Sequence, residues 1–258
     1  MNGATTWRLD VHALGVLAGY LHVSSYPFPF AVRPAARMRA DQQACEREAH
    51  HRLEVAGLVR EGRVDADLEA ALRALLRPTM SLEAFGFFGE RPESVVRILA
   101  ATAGGAGIVA WQLPGESDQV GSDLILQEVA PTGLAPGVVR ALPAAAPGRE
   151  PALHVPGAQL RAPRGSVHTQ ATRSRLETTT ARLTDLGAGP FAGGGQFAVN
   201  ATDPRGATWR ECRWRWFDRA GDGRYLLRGD GDVAVRPADS AALVAVLQDC
   251  LDRAARRR

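Results

Sequence analysis

Asp218, Asp222, Asp230 and Asp232 fall in a glycine-rich stretch, and calcium takes oxygen ligands of this kind. The D-x-D-x-D-G order with a distant glutamate is missing, so hairpin turns explain them better. The run Gly193-Gly194-Gly195 offers bare backbone amides to a phosphate, but such loops deliver the anion to a helix N-terminus, and here a strand follows. A flexible turn is the expected reading. His50 and Glu54 lie one helical turn apart, yet zinc needs further ligands that the sequence does not place. No G-x-S-x-G, H-E-x-x-H or C-x-x-C occurs, and no serine or cysteine has a nearby base to activate it. Neither a catalytic group, nor a metal site, nor a cofactor is expected.

What remains is a set of aromatic and guanidinium side chains in Trp209 to Phe217. Cys212, Trp214 and Trp216 alternate with Glu211, Arg213 and Arg215, the period-two pattern of a half-buried strand. A base-stacking platform needs aromatics and cations on one face; alternation puts Trp214 and Trp216 opposite Arg213 and Arg215. The first pair therefore points to the core. Trp209, Glu211, Arg213 and Arg215, with Phe217 as a further candidate, are left to water, an arginine and aromatic mixture typical of protein interfaces.

The elements that hold this strand follow from periodicity. Phe197, Val199 and Ala201 alternate one strand earlier, and Asp203-Pro204-Arg205-Gly206 supplies the turn between the two. Arg224-Tyr225-Leu226-Leu227 and Val233-Ala234-Val235 continue the meander. After Pro237, Asp239 or Ser240 can cap a helix with Leu243, Val246, Leu247, Cys250 and Leu251 along one stripe. Earlier in the chain, Arg39 to Leu58 and Asp65 to Leu76 read as two helices forming a hairpin, with Gly57 and Pro78 as stops. Leu82 to Gly89, Val95 to Ala103, Gly107 to Leu113 and Asp123 to Val129 are strand-like, and Leu134 to Leu142 is a short helix. Helical sequence from Arg173 to Leu186 precedes the second meander. Two related halves, about 1–142 and 164–258, are thus expected to join their strands in one sheet flanked by helices. The segment 143–163, rich in Pro, Ala and Gly with a short strand at Leu153 to Val155, is the linker candidate.

Composition excludes several classes. The chain has 258 residues, 45% of them hydrophobic, with 31 positive and 28 negative side chains. A formal charge of +3 with no basic run beyond Arg256-Arg257-Arg258 leaves no nucleic-acid footprint. Every cation is arginine; without lysine there is no phosphate-loop lysine, Schiff base or kinase chemistry. The cysteines Cys45, Cys212 and Cys250 have no paired spacing, so packing is the expected role, with a disulfide between two of them left open. The opening residues Met1-Asn2-Gly3-Ala4-Thr5-Thr6-Trp7 lack a basic region followed by a long apolar run, and no stretch approaches the roughly 20 apolar residues of a membrane span. A soluble cytoplasmic protein without membrane insertion is expected.

Cys45-Glu46-Arg47 in the first long helix, Gly62-Arg63-Val64-Asp65-Ala66-Asp67-Leu68 opening the second, Gly195-Gln196-Phe197, Trp216-Phe217-Asp218 with Gly223-Arg224-Tyr225-Leu226, and Pro237-Ala238-Asp239 occur in an order that resembles the EspG family of actinobacteria. The family's members are ESX-associated chaperones of type VII secretion. The resemblance spans nearly the whole chain and implies one α+β domain over 1–258, with a central twisted antiparallel sheet, flanking helical bundles on one side and two pseudo-symmetric halves. It also implies a non-enzymatic cytosolic adaptor that grips the apolar tip of a helical secretion substrate, PE/PPE-like or WxG-like, and keeps it soluble. The sheet and the C-terminal helical bundle form the family's grip, so Trp209, Arg213 and Arg215 are candidate contacts. The segment Gly89 to Ser94, with Arg91 and Glu93, is a candidate contact loop. Competing readings are a small-ligand or metal-binding α+β protein using the Asp230-Gly231-Asp232 and Gly193–Gly195 turns, and a structural homodimer that pairs sheet edges.

Overall fold

The structure, a computed structural model, describes residues 5–32, 39–89, 95–117, 120–158, 170–229 and 231–258. Its centre is a ten-stranded sheet in which every pair is antiparallel. The strands are β1 (Thr6–Leu9), β4 (Met80–Phe88), β5 (Val95–Ala103), β6 (Ala106–Ser117), β7 (Val120–Val129), β8 (Leu153–Val155), β9 (Phe191–Thr202), β10 (Thr208–Arg219), β11 (Gly223–Arg228) and β12 (Val233–Pro237). They lie in the order β1-β7-β6-β5-β4-β9-β10-β11-β12-β8. The two meanders meet at β4 and β9, and each has an extra strand on its outer edge. A separate ribbon, β2 (Val59–Arg60) with β3 (Arg63–Val64), turns through Glu61 and Gly62, both at positive φ.

Helices cover both faces. On one face α4 (Leu134–Ala141) and α6 (Ser240–Arg257) bury Leu134, Val138, Leu243, Leu247 and Leu251 against Leu82, Ile98, Phe197 and Trp216. Asp239 caps α6 by accepting from the Ala242 amide at 2.8 Å. The opposite face of the first meander is covered by α1 (Val11–Leu21), with α2 (Arg39–Val55) and α3 (Ala66–Leu76), over Leu99, Ala101, Ile108 and Leu126. Far across that same face, α5 (Gln170–Gly187) seals the end of the second meander through Leu183 and Leu186 against Tyr225, Val235 and Leu153. Helices on one side alone, as the resemblance implied, are therefore not what this chain has.

Two local expectations change. The helical hairpin does not form: α2 runs against α1, where the Tyr20 hydroxyl meets His50 Nε2 at 2.7 Å and their rings stack at 6.0 Å, and the β2–β3 ribbon intervenes before α3. Gly193 to Gly195 is no turn but the interior of β9. A Cβ at Gly86, Gly193 or Gly195 would come under 3.0 Å from the rings of Trp216 or Phe88, so these glycines let two large aromatics lie flat on the sheet.

Candidate protein-binding face

Between the α1–α3 layer and α5, no helix among the described residues covers a strip of sheet across β4, β9 and β10. Strand register sets its contents in rows. Ser81, Asn200 and Arg210 form one row, Glu83, Ala198 and Arg213 the next, then Phe85, Gln196 and Arg215, then Phe87, Gly194 and Phe217. These are the side chains that point away from α6, because Leu82, Ala84, Phe197, Val199 and Trp216 between them point toward it.

Arg213 and Arg215 are exposed on this strip, and neither makes a side-chain hydrogen bond or ion pair among the described residues. Phe87 is 45% exposed and Phe28, reaching over from the segment after α1, is 51% exposed, with its ring 5.2 Å from that of Phe85. Phe191 packs edge-on to Phe217 at 5.5 Å, extending the apolar margin toward α5. At the other end a groove of about 740 Å³ opens between Phe28, Arg77, Glu83, Asn200, Arg210 and Pro204. On its floor Asn200 donates to Glu83 Oε1 at 2.7 Å while Arg210 Nε donates to Asn200 Oδ1 at 3.0 Å. Burial pushes the Glu83 carboxyl above its ordinary value, against the pull of Arg210 and of the Asn200 bond. Aromatic rings, unpaired guanidiniums and a groove on one rigid surface suit recognition of another polypeptide.

Trp209 does not belong to this strip. A β-bulge between Arg210 and Cys212 adds one residue to β10, and parity reverses on the N-terminal side of it. Trp209 then pairs with Ala201 and Cys212 with Val199, both on the α6 side. The Trp209 indole is half-buried there beneath Arg257, 5.5 Å from its ring centroid, and Glu211 turns to Arg253 and Arg257 of α6 at 3.4 and 3.6 Å. Alternation read without the bulge had placed Trp209 and Glu211 with Arg213. Arg91 and Glu93 lie outside the described residues, as does Asp230. Phe85 and Phe87 were not singled out by the sequence reading, although their i, i+2 spacing marks one face of β4.

Other candidates resolve into structure. Asp218 is buried with Arg224, and Asp222 accepts from the Tyr225 hydroxyl at 2.6 Å and the Arg149 amide at 2.9 Å. Asp232 accepts from the Gly157 amide at 2.8 Å and contacts His154. Among the described residues no three His, Cys, Asp or Glu side chains group as metal ligands, and no helix is long and apolar enough to cross a membrane. Cys212 and Cys250 are joined as a disulfide between β10 and α6, so for these two the expected role of packing alone gives way to the bond that spacing had left open, and Cys45 is free.

The sequence profile of the EspG family matches residues 10–249. Among curated proteins, none matches the chain. Among solved structures, the chain is similar to that of the Mycobacterium tuberculosis type VII secretion system chaperone EspG5 in complex with the PE25-PPE41 dimer, with a TM-score of 0.66, 16% identity and 96% of each chain covered. At that identity the likeness concerns the fold.

Proposed function

Because the chain belongs to the EspG family, we propose that it is a cytosolic, non-enzymatic chaperone of type VII secretion that binds a helical PE/PPE-like or WxG-like substrate. The similar structure is of a chaperone holding a PE–PPE dimer, which supports this class of partner. The observation that carries the reading is the strip, free of helices among the described residues, on which Arg213 and Arg215 stand unpaired beside Phe85 and Phe87. A strip of that composition left in water needs a cover, and an apolar helix tip left in water aggregates; each satisfies the other. The carbonyl ends of the tip's helices carry negative partial charge, which suits the two guanidiniums. The proposed contact set is therefore Arg213, Arg215, Phe87 and Phe28, with Arg91 and Glu93 in the segment after β4. Trp209, on the other side of the sheet, drops out of it.

Co-expression with the PE/PPE-like or WxG-like proteins encoded in the same locus tests the proposal. A complex of one chaperone with a substrate pair, read as mass by light scattering after size exclusion, is the expected result. Absence of any complex across all such candidates would overturn it, and a chaperone that elutes as a stable homodimer would favour the edge-pairing alternative.

A further inference from the structure

The α6 side of the sheet holds a second unusual cluster, well away from the strip. Arg228 of β11 and Arg236 of β12 both stand over the indole of Trp214, with Cζ at 5.8 and 5.6 Å from the ring centroid. Both arginines are exposed and Trp214 is half-buried at the margin of the α6 core. The ring's negative π face attracts each cation, yet two like charges on one ring repel and call for an anion.

The described residues do not supply that anion. Neither guanidinium makes a hydrogen bond or ion pair among the described residues. Among the described residues, acids on neighbouring elements are otherwise engaged: Asp249 with Arg253, Asp252 with Gln248, and Asp232 with Gly157 and His154. Two pre-ordered, uncompensated forks on a rigid sheet therefore face solvent.

We propose that Arg228, Trp214 and Arg236 form a docking point for the carboxylate side chains of an acidic polypeptide segment. Guanidinium forks match carboxylates in two parallel bonds, and the indole holds the forks in place so that little freedom is lost on binding. Nucleic acid fits less well. The Trp214 π face is already taken by cations, so a base cannot stack there, and two cations cannot follow a phosphate track. Because Trp214 and Arg213 point to opposite sides of the sheet, this point stays open when the strip is occupied, and it does not depend on the chaperone reading.

The test uses the full chain and a fluorescein-labelled glutamate-rich peptide, followed by anisotropy. The Arg228→Gln/Arg236→Gln variant is expected to weaken binding about tenfold, the loss that removing a charge-assisted contact brings. The Arg213→Gln/Arg215→Gln variant, which alters the other face, should bind as the parent does. Circular dichroism melting confirms that both variants fold. Equal binding by the Arg228/Arg236 variant, equal loss in the Arg213/Arg215 variant, no binding by the parent, or displacement of the peptide by a lower concentration of a single-stranded oligonucleotide would each overturn the proposal.

Discussion

Arg224 and Asp218 form a two-bonded pair inside the sheet, Nε to Oδ1 at 2.7 Å and Nη2 to Oδ2 at 2.8 Å, with the arginine 1% exposed. The same Nη2 donates to the Pro143 carbonyl at 3.0 Å, and the Arg224 backbone exchanges bonds with Ala146 and Gly148. One buried ion pair thus fastens the linker candidate to the second meander. Removing one partner leaves a buried charge alone, so Asp218→Ala is expected to cost about 3 to 5 kcal/mol in urea unfolding. The double variant Asp218→Leu/Arg224→Met should recover much of that loss; a double variant as unstable as the single would contradict this account.

Opposite outcomes are expected on the two sides of β10. Trp216 is 1% exposed against Phe197 at a ring distance of 4.4 Å, so Trp216→Ala should destabilise by about 3 to 5 kcal/mol. Arg213→Glu should change stability by no more than about 0.5 kcal/mol and weaken substrate capture in co-purification. Trp214→Ala should fall between the two, since its ring is only half-buried.

The glycines of β9 separate by face. Gly195→Ala would drive a methyl into the Trp216 ring and the Phe85 carbonyl, at a cost of about 1 to 3 kcal/mol or more. Gly194→Ala meets nothing closer than 3.2 Å and should melt within a few degrees of the parent. Equal melting temperatures for the two variants would mean that Trp216 does not lie across this strand.

Acid stability should depend on Asp10. Desolvation raises its carboxyl, but the Ala13 amide, Arg52 and the His12 amide outweigh burial and hold it below its ordinary value of 3.8. A depressed carboxyl binds fewer protons folded than unfolded, so its contribution is present above pH 3.8 and is lost as pH falls below that value. Asp10→Asn keeps the cap on α1 while removing the charge. The variant should therefore lose less stability than the parent between neutral pH and pH 3, measured by urea midpoints.

Thiol counting tests the β10–α6 link. Oxidised and denatured protein should titrate one thiol, Cys45, of the three cysteines in the chain. Reduction should lower stability by about 4 kcal/mol on loop-closure entropy for a 38-residue separation. Three titrating thiols without reductant would rule the disulfide out.

Much of the architecture was readable because its signals are local. Alternation in Phe197 to Ala201 and Arg213 to Trp216, the Asp203–Gly206 turn, and the Asp65 and Asp239 caps each depend on a few consecutive residues, and each appears where expected. β1 and α1 were not readable. Four residues give β1 too little pattern, and Gly15 and Gly19 dilute the helical propensity of α1, which burial of Leu14, Leu17 and Leu21 restores. The α2–α3 hairpin failed for a related reason: adjacency in sequence suggested a partner, whereas α1 supplied the better-matched face.

The candidate site divides along the same line. Residue order alone determined that Arg213 and Arg215 share a side of β10 opposite Trp214 and Trp216, that no lysine chemistry exists, and that the motifs follow the EspG pattern. Period two distinguishes the sides of a strand but cannot say which side a helix will cover. That choice belongs to α1, α3, α5 and α6, which lie outside β10 in sequence and, among the described residues, leave Arg213 and Arg215 of the β4–β9–β10 strip exposed. The bulge at Arg210 to Cys212, which carries Trp209 to the opposite face, likewise arises from strand register against β9, and pairing between strands exists only once the chain is folded.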